Sequence, residues 1–143
     1  MQPVNYDSIS TIYDDVRQAG LELIQHFVSR LELTSSKRIL DLGCGTGNYL
    51  DMFQRMSQGQ FYGVEPSEGM RLQASQKNSN VTIMSGNAYN IPFDDAFFDF
   101  IYMTDVIHHI SDSRRMFDEL SRVLKPNGRV CIVTQSHQQI EQR

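Results

Sequence analysis

The segment Ile39-Leu40-Asp41-Leu42-Gly43-Cys44-Gly45-Thr46-Gly47 constrains this chain more than any other stretch. A short apolar strand runs directly into three alternating glycines, and a helical pattern opens at Asn48. Glycine at these places lets the backbone turn tightly and approach a ligand with no side chain in the way. The helix that follows offers unpaired N–H groups to an anion or carboxylate. A merely tight turn would also use glycine, and the dinucleotide fingerprint G-x-G-x-x-G begins in the same way. That fingerprint requires glycine at position 48, where this chain has Asn48.

The period of the apolar residues changes along the chain. Ile12, Tyr13, Val16, Leu23, Ile24, Phe27, Val28 and Leu31 recur at helical spacing, interrupted by Gly20, so one broken helix or two short ones precede the core. Short strands and helices then alternate: strand 38–42, helix 48–57, strand 60–64, helix 67–77, strand 81–84, strand 98–103 and a helix capped by Ser111-Asp112-Ser113. Met116, Phe117, Leu120, Val123 and Leu124 form the face of that last helix. Pro126-Asn127-Gly128 stops it, and a fifth strand runs from Arg129 to Thr134. Such alternation predicts an α/β fold with a mostly parallel sheet, right-handed crossovers and helices on both faces. Ligands of such sheets bind beyond the carboxyl ends of the strands, where strand order reverses.

D-L-G-C-G-T-G resembles the first motif of class I S-adenosylmethionine-dependent methyltransferases, whose loop holds the methionyl part of the cofactor. The resemblance extends from Ile39 to Thr134. It includes Ile91-Pro92-Phe93-Asp94-Asp95 before strand four and His108-His109 after it. Arg122-Val123-Leu124-Lys125-Pro126-Asn127-Gly128 matches the R-V-L-K-P-G-G pattern of the small-molecule, type 11-like branch. The family implies a Rossmann-like doubly wound sheet of strand order 3-2-1-4-5, with residues 1–36 as a helical lid and 37–143 as the cofactor-binding core. Within it the residues expected at the cofactor are Tyr13, Asp41, Gly43, Cys44, Gly45, Glu65, Pro66, Met70, Asn87, Ala88, Met103 and Thr104.

Several of these can be argued chemically. Glu65 ends strand two eighteen positions after Gly47, close to the roughly 20 expected of an acidic ribose reader, and the resemblance implies that it accepts from both ribose hydroxyls. Met70 either packs its thioether on the adenine or is a core methionine. Asn87 stands where the family usually carries an acid; its amide oxygen still accepts from the adenine amino group but brings no charge. His108 and His109 are the candidate general bases, being able to titrate near neutral pH; capping of the next helix or filling of the pocket wall is the competing reading. Tyr13 is read as a cofactor contact or core residue, and Arg17 as facing the cofactor carboxylate or solvent. Asp99 is read as structural, Asp105 is unassigned, and no residue is assigned to a metal.

Charge and absent motifs narrow the function. The net charge of −4 weighs against grip on a phosphate backbone, so nucleic acid is not expected as a partner. No N/D-P-P-Y follows strand four, which disfavours methylation of base amino groups. A small-molecule methyl acceptor remains, with transfer to an O, N or C nucleophile by in-line displacement and S-adenosylhomocysteine as product. Two cysteines in apolar stretches, no basic-then-apolar leader and no apolar run of bilayer length lead to the expectation of a cytoplasmic protein with no membrane contact. The last two strands of the family fold are missing from the pattern, which would leave strand five as a bare apolar edge. The expectation is therefore a fragment of a longer enzyme, or a second copy or partner chain covering that edge. A non-catalytic S-adenosylmethionine-binding or partner-activating module, and less favourably a nicotinamide-dependent oxidoreductase, are the competing functions.

Overall fold

The computed structural model describes the backbone of residues 6–104 and 109–133, with side chains from residue 18 onward. The elements are α1 (Tyr6–Arg30), β1 (Arg38–Leu42), α2 (Asn48–Met56), β2 (Gln60–Val64), α3 (Glu68–Lys77), β3 (Thr82–Met84), β4 (Phe98–Thr104), α4 (Ser113–Val123) and β5 (Leu124–Val133). The five strands form one sheet of order β3-β2-β1-β4-β5, and all four pairings are parallel. The chain therefore winds outward from β1 to one edge and then from β4 to the other, as expected. No described helix is long and apolar enough to cross a membrane.

Strand alternation divides the core in two. Ile39, Phe61, Phe100 and Tyr102 face one side, packed with Ile24 and Phe27 of α1 and Leu50, Met52 and Phe53 of α2. Leu40, Leu42, Val64, Ile101 and Met103 face the other, against Met116, Leu120 and Val123 of α4. Successive strand residues point to opposite faces, which is how one five-residue strand such as β1 feeds both layers. Phe117, expected on the buried face of α4, is instead 47% exposed.

Two boundaries differ from the sequence reading. α1 is a single helix through Gly20, and Gly20 marks its closest approach to α2: a Cβ there would lie 2.8 Å from Met52 Cε and 3.4 Å from Tyr49. The glycine serves helix packing and does not break the helix. β5 starts at Leu124, before Pro126-Asn127-Gly128. Phe98 pairs with Leu124 but Phe100 with Arg129, so the surplus residues are absorbed as an irregularity within the strand. The second half of α1 belongs to the core, with Ile24 fully buried and Phe27 nearly so.

Candidate functional site

The turn from β1 into α2 depends on its glycines. Gly43, Gly45 and Gly47 have φ of 77°, 57° and 83°, in the left-handed region that side chains with a Cβ rarely adopt. The turn is tied down by backbone: Gly43 and Cys44 donate their N–H groups to Val64 O at 2.7 and 3.0 Å, and Gly47 N–H reaches Cys44 O at 3.0 Å. Behind it lies Asn78, 2% exposed, which donates to Gly47 O at 3.1 Å and Ala74 O at 3.0 Å and accepts from Gln54 at 2.7 Å. A Cβ on Gly47 would stand 2.5 Å from the Asn78 amide nitrogen, whereas one on Gly45 would meet nothing within 4 Å. Gly47 is thus the packed side of the loop and Gly45 the open side.

Glu65, 7% exposed, continues directly from β2. One carboxylate oxygen accepts from Gly45 N at 2.9 Å and the other from Ser67 N at 3.0 Å. Arg71 braces the same corner by donating to the carbonyl oxygens of Glu65 and Pro66, each at 2.9 Å. An ionised carboxylate has about four acceptor positions, so each Glu65 oxygen keeps one for a ligand while its orientation is set by backbone.

These residues open onto a cavity of about 600 Å³, within the usual range for small-molecule sites. Of the residues expected at the cofactor, Gly43, Gly45, Glu65, Pro66, Met70, Asn87, Ala88 and Thr104 line it, and so does His109. Met70 is 45% exposed, which sets aside its reading as a core methionine. Asn87 Oδ1 already accepts from Tyr89 N at 2.8 Å, so its first task is to shape the turn after β3. Leu42, Tyr89 and Ile110 also line the cavity and were not singled out in the sequence. Tyr89 had a usable signal, standing two residues after an asparagine in a turn-rich segment.

Three expected residues stand back from the cavity. Met103 is fully buried among Leu40, Ile101 and the α4 side chains. Cys44 packs against the α1 and α2 layer, and burial, then the neighbouring Asp41 and Glu65, push its thiol up to about 12. Its backbone shapes the loop while its sulfur stays inert. Asp41 is 1% exposed, and its Oδ1 has no hydrogen-bond partner among the described residues. Burial pushes its carboxyl up to about 7; the nearby Tyr102 hydroxyl opposes the shift and the Glu65 charge adds to it. The Tyr102 hydroxyl lies in its field without reaching hydrogen-bond geometry. Asp99 holds Arg38 N at 2.9 Å and Lys125 at 3.2 Å, the structural role expected of it. His108, Asp105 and the side chains of Tyr13 and Arg17 lie outside the described residues.

A family model described as a methyltransferase domain matches residues 40–132. A demethylmenaquinone methyltransferase of Symbiobacterium thermophilum is 36% identical over 141 residues, covering 89% of this chain and 56% of that protein. The chain thus spans about half the length of the curated relatives it matches. A SAM-dependent methyltransferase from Aquifex aeolicus superposes with a TM-score of 0.71 at 27% identity, covering 91% of this chain and 72% of that one. The [4+2]-cyclase SpnF superposes with a TM-score of 0.73 at 27% identity, covering 80% and 44%. With the matched span running from β1 to β5 and enclosing the whole cavity wall, this chain belongs to the methyltransferase domain family.

Proposed function

We propose that the cavity binds S-adenosylmethionine and that the chain is the cofactor-binding part of an enzyme transferring its methyl group to a small molecule. The observation that carries this reading is Glu65: a buried carboxylate, fixed by two backbone N–H groups, with one acceptor position per oxygen left for a diol. Gly45 fits the same group, because it leaves open space where a side chain would stand. Met70 and Ala88 supply flat apolar contact for a base, with the Asn87 turn at its edge. When bound, the cofactor supplies a methyl group already activated on a sulfonium sulfur.

The chain's own contribution is then mostly orientation, worth roughly 7–11 kcal/mol when reactants are well placed. His109 lines the cavity beside Ile110 and, among the described residues, is the group available to take a proton from a hydroxyl acceptor, adding about 10²- to 10⁴-fold. The quinone named for the Symbiobacterium relative makes an aromatic or quinol acceptor the first class to try. β5 is an edge of the sheet among the described residues, with Val130 39% exposed, and we retain a second copy or partner chain as its cover.

The [4+2]-cyclase SpnF shares the fold, so cofactor binding and methyl transfer need separate tests. Calorimetric titration of S-adenosylhomocysteine should give saturable binding that falls at least tenfold in Glu65→Ala, with NAD giving none. A folded wild-type chain that ignores S-adenosylhomocysteine would refute the reading. Saturable binding without methyl transfer to any quinol would favour the non-catalytic module.

A further inference from the structure

The cavity wall joins two stretches distant in sequence: Asn87-Ala88-Tyr89 after β3, and His109-Ile110 ahead of α4. One side chain spans them. The Tyr89 hydroxyl accepts the backbone N–H of Ser111 at 2.9 Å and of Asp112 at 3.0 Å, and lies 3.3 Å from the Ser111 hydroxyl. At its other end the Tyr89 N–H donates to Asn87 Oδ1 at 2.8 Å. The Arg115 guanidinium covers the ring, 4.6 Å from its centroid, and the ring packs with the buried cluster of the α4 face. Asp112 is also the N-cap of α4, its side chain accepting from Arg115 N at 3.2 Å, so the phenol oxygen grips the start of that helix.

We propose that Tyr89 is a positioning residue that couples ligand contact at Asn87 and Ala88 to the placement of His109 and Ile110 on the opposite wall. The proposal rests on the reading of the cavity as an S-adenosylmethionine site. A ligand seated against Asn87 and Ala88 restrains the turn that holds Tyr89, and Tyr89 restrains the two amides that follow Ile110. A phenol oxygen has two acceptor positions, and both are taken by these amides. Removing the hydroxyl therefore unties both amides at once while leaving the ring, its packing and the Arg115 contact in place. The coupling needs no change of fold, only a shared restraint on local opening.

Amide hydrogen exchange at Ser111 and Asp112, followed by NMR, reads this directly. The samples are wild type, Tyr89→Phe and Asn87→Ala, each free and with S-adenosylhomocysteine at tenfold its own Kd. In the free chain, Tyr89→Phe should exchange at the two amides about tenfold faster than wild type, the effect of two lost hydrogen bonds of ordinary strength. Bound S-adenosylhomocysteine should slow both amides severalfold in wild type and leave them unchanged in Tyr89→Phe. Asn87→Ala keeps the hydroxyl but loses the tether and its own ligand contact, the latter offset by loading at tenfold its own Kd, so its response to ligand should be weaker than that of wild type. The proposal is overturned if wild type binds S-adenosylhomocysteine with no change at these amides, or if Tyr89→Phe responds as wild type does. A wild-type chain that fails to bind refutes the cofactor reading itself and the coupling with it. The free-chain comparison then still reports whether the hydroxyl holds the wall.

Discussion

Asp41 and Glu65 are two nearby acids with opposite arrangements. Glu65 has a backbone N–H on each oxygen, whereas Asp41 Oδ1 has no partner among the described residues and burial lifts its carboxyl to about 7. A native pKa above the unfolded value means that the folded chain binds more protons than the unfolded one between about pH 4 and 7. Stability from this group is therefore full below pH 4 and is lost as pH rises through 7. Asp41→Asn removes the charge and should stabilise the ligand-free chain at pH 8 by roughly 2–4 kcal/mol, with little effect at pH 4. Urea midpoints at the two pH values check this, and a variant less stable than wild type at pH 8 would show that Asp41 is paired. Glu65→Gln should behave differently, because an amide has only one acceptor atom: its NH₂ must face either Gly45 N–H or Ser67 N–H. We expect it to lose at least tenfold in S-adenosylhomocysteine affinity, which calorimetry beside Glu65→Asp would show. The roles of the glycine loop and Glu65 could be argued from spacing, since backbone freedom and an acid at a strand end leave marks in sequence. The partners of Glu65 and the exclusion of Cys44, Met103 and Asp41 from the cavity could not, because they depend on packing between elements distant in sequence.

At the scale of elements, α4 is joined to the preceding loop through Arg122. Its guanidinium donates to Ile91 O at 2.7 Å, Phe93 O at 2.9 Å and Asp95 at 2.9 Å, and it pairs with Glu119 at 2.6 and 2.9 Å. Glu119 in turn accepts Ile91 N–H at 2.6 Å. The bonds to Arg122, together with that from Ile91, hold the Glu119 carboxyl below its usual range against the opposing effect of burial. Arg122 is 35% exposed, so solvent screening discounts the charge pairing, but the two carbonyls it satisfies belong to a loop with no regular structure of its own. Arg122→Ala should cost about 2–3 kcal/mol, read as a lower denaturant midpoint. A loss under about 0.5 kcal/mol would mean that the clamp is dispensable. Strand-helix alternation made the order of elements legible, because the period switches between 2 and 3.6 at each junction. Gly20 and Pro126-Asn127-Gly128 misled for one reason: glycine and proline mark breaks in an isolated pattern. Here Gly20 admits Met52, and the second group sits inside a strand whose pairing with β4 continues on both sides.

Over the whole molecule, the cavity draws on the ends of four of the five strands and their loops: Gly43 and Gly45 after β1, Glu65 after β2, Ala88 after β3, and Thr104 at the end of β4. Both core layers lean on the same central strands, so the described chain should unfold as one unit, with calorimetric and van't Hoff enthalpies in agreement. A ligand that bridges these loops then stabilises the entire fold by mass action, because the unfolded chain has no site to offer. At one hundred times Kd the gain is about 2.7 kcal/mol. For a chain of this size that corresponds to a rise in Tm of about 5–10 °C with S-adenosylhomocysteine. NAD should give no shift, and Glu65→Ala, with its affinity at least tenfold lower, should give no more than about half the wild-type shift at the same ligand concentration. A shift confined to one phase of a two-phase melt would show that the layers unfold separately, and that the loops serve a site held by only part of the sheet.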